Sequence, residues 1–306
     1  MKHIKPYKIF ESVSHNFPTT KEEVIQVCKK YKIENYTIND DLSIDVDGEV
    51  YLQEKDLKHL PLKFNYVSGN FNCFVNKLKT LEGSPQTVEG NFDCSFNGLK
   101  SLEGCPKTVE GNFYCSGNEL KTLEGSPKTV GGGFFCDYNE LKTLKGSPQT
   151  VGGGFYCFKN ELKTLEGCPQ ILDGSFLCFE NELKSLEGSP KTVEGNFYCS
   201  GNELKTLEGS PQTIGGGFYC SDNKLRDLEH FPEVNGIIDI QGNTVYLLSN
   251  TFIRTAGSFM IEDFVDYEIV RNGDTVMLDR LQTFIRDNDL EMPNLEEIKK
   301  HYKIIE

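Results

Sequence analysis

Between Val46 and Asn243, apolar and polar positions return with a period of 21 residues. The unit reads Val-x-Gly-x-Phe-x-Cys-x-x-Asn-x-Leu-x-x-Leu-x-Gly-x-Pro-x-x. Cys73, Cys94, Cys115, Cys136, Cys157, Cys178, Cys199 and Cys220 keep its beat without a slip. A fixed period of this length predicts stacked supersecondary units, each burying a thin stripe, rather than a globule with one core. Phenylalanine and cysteine stand two apart, so they share the inner face of a strand. Asparagine, from Asn76 to Asn223, closes the turn, where stacked amides satisfy backbone groups that no ladder reaches. Two leucines, such as Leu120 and Leu123, fill the interior beyond it. Proline keeps the return segment extended and free of helix. The valine lies four residues before the phenylalanine with a glycine between them, which predicts a β-bulge where the strand begins.

The flanks break the period. Thr19 or Thr20 to Tyr31 has helical spacing, with Glu22 and Glu23 in its first turn. Short strands follow at Tyr36–Ile38, Ser43–Val46 and Val50–Leu52, turning at Asp47-Gly48. At the other end, Thr244 to Arg254 reads as helix and Tyr267 to Leu278 as a hairpin around Asn272-Gly273. Asp279 to Arg286 and Pro293 to Lys300 read as helices before a closing strand. The expected division is therefore a helix-and-strand cap over 1–45, an array of about nine rungs over 46–243, and an α+β cap over 244–306.

With strand, asparagine turn and caps in place, the chain resembles the short-repeat leucine-rich-repeat proteins of bacteria and their viruses. Phe113-Tyr-Cys115-Ser-Gly-Asn118-Glu-Leu120 fits the second half of that repeat pattern. The opening MKHIK, the stretch Tyr36-Thr-Ile-Asn…Ser43-Ile-Asp-Val-Asp-Gly48, and the iterated Gly-Asn-Phe-Tyr-Cys and Leu-Lys-Thr-Leu-Glu-Gly-Ser-Pro resemble repeat proteins of large tailed bacteriophages. The resemblance covers nearly the whole chain. It implies a leucine-rich-repeat solenoid with a parallel β-sheet on the concave face, extended and turn segments on the convex face, and a cap at each end. In function it implies protein binding alone. Related bacterial effectors join such repeats to a ubiquitin-ligase domain whose catalytic cysteine lies far downstream; here no cysteine follows Cys220.

Composition narrows the partner. The 306 residues carry a formal charge of −14, which disfavours nucleic acid and anionic membrane surfaces. No apolar run is long enough to span a bilayer, and the basic opening lacks the apolar segment of a secretory signal. A cytoplasmic location is expected, in the host cell if the chain is phage-encoded, with a monomer favoured. Eleven cysteines suggest a disulfide framework by number. Side chains stacked in register point in parallel, a poor geometry for bonding, so free buried thiols are expected.

Chemistry is sparse. His3, His15, His59, His230 and His301 are scattered outside any metal or nucleophile motif. Ser43, Asp45, Asp47, Gly48 and Glu54 match part of a calcium-loop pattern, but Ile44, Val46, Val50 and Leu52 keep strand alternation through it. The Gly131–Gly133, Gly152–Gly154 and Gly215–Gly217 runs lack the Lys-Ser/Thr and helix of a phosphate cradle and read as tight turns. Lysines such as Lys79, Lys100 and Lys121, with Glu82, Glu103 and Glu124 three residues on, form a solvated outer face. No cofactor and no metal are expected, and the reading is non-enzymatic.

Positions between the fixed letters vary in chemical kind, and these point to the concave face. Tyr114, Phe135, Tyr156, Leu177, Tyr198 and Tyr219 form one column; Asp137, Phe158 and Phe179 belong to the next, Tyr138 and Glu180 to a third. Phe135, Tyr138, Tyr156, Phe158, Leu177 and Phe179 are expected to make one apolar patch. Its alternative role is a self-stacking ladder that only stabilises the sheet. Asp93, Asp137, Glu180 and Asp222 favour a basic protein partner. The functional expectation is a protein-interaction module, in its finer form a phage factor that blocks a host defence protein. A structural part of a virion and an enzyme within the C-terminal cap are the alternatives.

Overall fold

The computed structural model describes residues 17–249 and 259–306. The opening 1–16, with His3 and His15, and the stretch 250–258, with the end of the helix expected from Thr244 to Arg254, lie outside the described residues.

Helix α1 (Lys21–Tyr31) begins where Thr20 accepts a hydrogen bond from the Glu23 amide at 3.2 Å and the Glu23 carboxylate accepts one from the Thr19 amide at 2.7 Å. These reciprocal bonds satisfy amides that a helix start leaves free. The helix ends at Lys32, whose left-handed backbone returns its amide to Cys28 and Lys29. Strand β1 (Tyr36–Ile38) then pairs antiparallel with β2 (Ile44–Val46). Val24, Cys28 and Ile33 bury themselves against the first rung.

The array is a parallel-strand solenoid with 21-residue turns, a leucine-rich-repeat fold. Ten two-residue strands, from Val50–Tyr51 through Phe113–Tyr114 to Ile238–Asp239, form one unbroken parallel sheet. Register is position for position: Phe113 lies beside Phe92 and Phe134, and Tyr114 beside Asp93 and Phe135. Eight phenylalanines from Phe71 to Phe218 are fully buried and stack at 5.2 to 5.9 Å between ring centroids. Behind them Cys73 to Cys220, Leu78 to Leu225 and Leu81 to Leu228 fill the interior.

The expected bulge is absent; each rung holds a second strand instead. Thr108–Val109, Thr129–Val130 and their equivalents pair parallel from rung to rung, valine inward. The glycine after them makes the corner, because successive backbones nearly touch there. A Cβ placed on Gly132 would lie 2.9 Å from the Gly111 carbonyl carbon and 2.3 Å from Asn112 Oδ1. The glycine runs thus answer to close approach between rungs rather than to turns, since none of Gly131 to Gly133 has positive φ. This second ladder divides into a seven-stranded and a four-stranded sheet, with the break between Thr150–Val151 and Ile171–Leu172.

Asparagine staples each turn to the rung before it. Asn118 Nδ2 donates to the Cys115 carbonyl at 3.0 Å in its own rung and to that of Cys94 at 3.1 Å in the previous one. Its Oδ1 accepts from the Leu99 amide at 3.1 Å. Asn243 repeats this with Cys220 and Leu225, at 2.8 and 3.0 Å. The outer lysines pair across rungs, Lys100 with Glu119, Lys121 with Glu140 and Lys142 with Glu161, at 3.5 to 3.7 Å. Their partners are the glutamates that follow asparagine. Exposed as they are, these pairs contribute little stability.

Beyond the array come helices α2 (Tyr246–Ser249) and α3 (Phe259–Asp266), then a hairpin of Val270–Arg271 with Thr275–Met277. Asn272 and Gly273 both have positive φ, as a type I′ turn requires. Helix α4 (Leu278–Asp287) buries Leu281, Phe284 and Ile285, and α5 (Leu295–Ile298) is capped by Asn294. Lys303–Ile305 closes the small sheet beside Thr275–Met277. Arg226 ties the cap to the last rung: it donates to the His301 carbonyl at 2.7 Å, and its own carbonyl accepts from Tyr302 Oη at 2.8 Å.

Candidate functional site

Because the strand buries phenylalanine and cysteine, the residues between and after them face outward and their chemistry is free. Tyr114, Phe135, Asp137, Tyr156, Phe158 and Leu177, all expected from the sequence, line a single hollow of about 600 Å³. Phe74, Asp93, Ser95, Phe96 and Ser116 complete it. The hollow therefore reaches further toward the N-terminal rungs than the apolar patch expected over Phe135 to Phe179.

Its floor is a stack of rings. Tyr114 lies on Phe135 at 4.5 Å between centroids, and Phe135 on Tyr156 at 4.2 Å. In the next column Phe158 lies on Phe179 at 4.4 Å. Leu177 interrupts the first stack, beyond which Tyr198 and Tyr219 make a separate pair at 4.4 Å. The rings are half-buried by one another. They stiffen the sheet as cross-strand pairs do, and with their faces against one another they present apolar ring edges outward.

Two sets of residues that sequence reasoning missed set the ring orientations. Asn112 Nδ2 donates to Tyr114 Oη at 2.9 Å, and Asn196 Nδ2 to Tyr198 Oη at 3.4 Å. Where the rung carries glycine at that position, the ring folds back over it. A Cβ on Gly133 would lie 2.9 Å from Phe135 Cε2, and one on Gly154 2.9 Å from Tyr156 Oη. The sequence carries no signal for this support, because tyrosine follows both asparagine, at Asn112 and Asn196, and glycine, at Gly154 and Gly217.

The third column is strained. Val75, Phe96, Tyr138, Lys159, Glu180 and Asp222 all take left-handed backbone, with φ between 49° and 53°. Gly117, Gly201 and Gly242 occupy the same place in other rungs at φ between 64° and 77°. Glycine adopts this conformation freely, whereas a side chain there costs energy. Phe96 is nevertheless 58% exposed and Tyr138 49%. Tyr138 meets Phe158 edge-on at 5.5 Å, so it rims the patch rather than lying within it. Lys159 donates to the Tyr138 hydroxyl at 3.0 Å and pairs with Glu180 at 3.5 Å. That pairing takes Glu180 out of the set of carboxylates free to meet a basic partner.

Of the other three, Asp222 is exposed and not part of the hollow, while Asp93 and Asp137 line it. Asp93 accepts from the Ser95 amide at 2.9 Å, and Asp137 from Ser116 Oγ at 2.8 Å. Burial pushes both carboxyls above the usual range, with those serine bonds opposing it.

Elsewhere the chemistry is quiet. All eleven thiols are free and buried, and burial lifts Cys28 to about 11 and Cys105 to about 12, far from a reactive thiolate. Ser43 to Val46 holds strand alternation, with Asp45 accepting from Asn65 Nδ2 at 2.7 Å and Asp47 from Ser68 Oγ at 3.0 Å. Among the described residues no group of three His, Cys, Asp or Glu is placed to hold a metal ion, and no helix is long and apolar enough to cross a membrane. A cleft of about 260 Å³ lies where the last rung meets the cap, lined by Asp227, Phe264, Glu268 and Arg271 among others. Its Glu268 is paired with Arg280 and Arg271.

No protein-family profile matches the chain, and no curated protein matches it. Among solved structures it is similar to YopM, a leucine-rich effector protein from Yersinia pestis, with 23% identity and a TM-score of 0.44 over 64% of this chain and 60% of that one. It is also similar to YopM from Yersinia enterocolitica, with 16% identity and a TM-score of 0.32 over 64% of this chain and 65% of that one. The chain thus spans less than two thirds of either YopM chain.

Proposed function

We propose that the chain is a non-enzymatic interaction module that binds a protein partner through the aromatic concave face. The observation that carries this is the hollow itself: its walls come from the variable columns, while the rung is built by the fixed ones. Aromatic side chains gathered in one concave hollow suit an interface, where such residues dominate binding energy. In its finer form the proposal makes the chain a phage-encoded factor, free in the host cytoplasm, that blocks a host defence protein. The sequence resemblance supports that finer form.

The test is a pull-down from host lysate with the intact chain and with Tyr156→Ser/Phe158→Ser, both shown folded by their thermal melts. A partner recovered by the first and lost by the second is expected. An unchanged set of captured proteins would sink the proposal.

A further inference from the structure

The concave hollow combines aromatic rings with two carboxylates, and neither lysine nor arginine is among its lining residues. Asp137 is 8% exposed, and the bonds from Ser116 and Ser95 are the polar contacts that Asp137 and Asp93 make in the rungs. A carboxylate withdrawn from water without a cation costs stability. The framework does not require either group, because Asn72 and Tyr114 occupy the place of Asp93 in adjacent rungs, and Ser116 and Phe158 that of Asp137. The strain at Phe96 points the same way, since Gly117 meets the same backbone demand one rung later without it.

The chain already shows how such a surface is satisfied. At the rim, the Lys159 ammonium donates to the Tyr138 hydroxyl at 3.0 Å and pairs with the Glu180 carboxylate at 3.5 Å, so that an aromatic side chain and an acid share one cation. The hollow presents the ring and the acid on its own side of an interface. Guanidinium is the cation best suited to it, being planar, able to stack on aromatic faces and able to bond a carboxylate through two N–H groups.

Building on the proposed protein-binding role, we propose that the partner docks an arginine-bearing segment in the hollow. Its guanidinium groups lie against the ring faces left open at the ends of the stacks, one on Tyr114 beside Asp93 and one on Phe158 beside Asp137. The two acids stand two rungs apart and two residues over along the strand, a separation of about 12 Å from strand geometry. An extended segment matches this with arginines four residues apart, about 13 Å along the chain.

The test is calorimetric titration of the full chain with a Gly-Ser peptide carrying two arginines at that spacing, and with the same peptide carrying uncharged citrulline. Asp93→Asn/Asp137→Asn keeps the serine hydrogen bonds, because the amide oxygen still accepts. It is expected to weaken the arginine peptide by about tenfold or more. Glu103→Gln/Glu124→Gln, which removes the same charge from the convex side, is expected to change affinity by less than about twofold. Equal losses in both variants would mean non-specific attraction to an acidic protein and would overturn the inference. So would binding of the citrulline peptide as tight as that of the arginine peptide, or no binding of either. The protein-binding role itself stands or falls separately, on the Tyr156→Ser/Phe158→Ser pull-down.

Discussion

Asn118 and Asp137 show two opposite uses of a buried polar side chain. Asn118 is fully used, closing its own turn and holding the rung before it. Asn118→Ala strands the Leu99 amide, while the Cys94 and Cys115 carbonyls keep Asn97 and Asn139 as donors, and is expected to cost about 1 to 3 kcal/mol in urea unfolding. Asp93 and Asp137 are under-used, and pH reports it. Their folded pKa values are raised, so the penalty for burying them is full above those values and fades as pH falls toward the unfolded carboxylate range near about 4. Asp93→Asn/Asp137→Asn is therefore expected to raise the melting temperature at neutral pH. The gain should shrink on acidification; a constant gain down to pH about 3 would contradict this. The thiols give a third check: none of the eleven should react with a disulfide reagent until the chain unfolds. The role of asparagine was legible from its place after the strand. The left-handed column was not, because Val75 and Phe96 carry no glycine to announce the conformation.

A single rung is legible in outline and deceptive at its corner. Phenylalanine, cysteine and the leucines declared their inward faces by spacing, and they are buried to the last atom. The valine and glycine were misread as a bulge because local sequence does not reveal that the next rung's backbone lies against that glycine. Contact between rungs, 21 residues away, decides the matter. Gly132→Ala is accordingly expected to destabilise the array by about 1 to 3 kcal/mol, measured by chemical denaturation. Leu123→Ala, which empties interior volume instead, is expected to cost about 2 to 5 kcal/mol. The aromatic columns were visible as alternating positions. What the sequence hid was their support, the Asn112 bond to Tyr114 and the room that Gly133 and Gly154 leave for their rings.

At the scale of the molecule, stability is a chain of neighbour contacts, and the ends matter most. The strand Ile238–Asp239 is the last of the ten-stranded sheet. Residues 244–306 follow it, with Arg226 and Tyr302 joining cap to array. Removing 244–306 is expected to convert a monodisperse protein into associating material in light scattering, since an uncovered edge invites another strand.

The one-to-one register has a genetic consequence. The segments beginning at Gly111 and Gly195 share the run Gly-Asn-Phe-Tyr-Cys-Ser-Gly-Asn-Glu-Leu-Lys-Thr-Leu-Glu-Gly-Ser-Pro and lie 84 residues, four whole periods, apart. Unequal recombination between them deletes or duplicates four rungs and rejoins every ladder in phase. The shortened coil would still stack phenylalanine on phenylalanine. It would also lose Phe135, Asp137, Tyr156 and Phe158 together, so a single crossover can erase the recognition surface while leaving the scaffold whole.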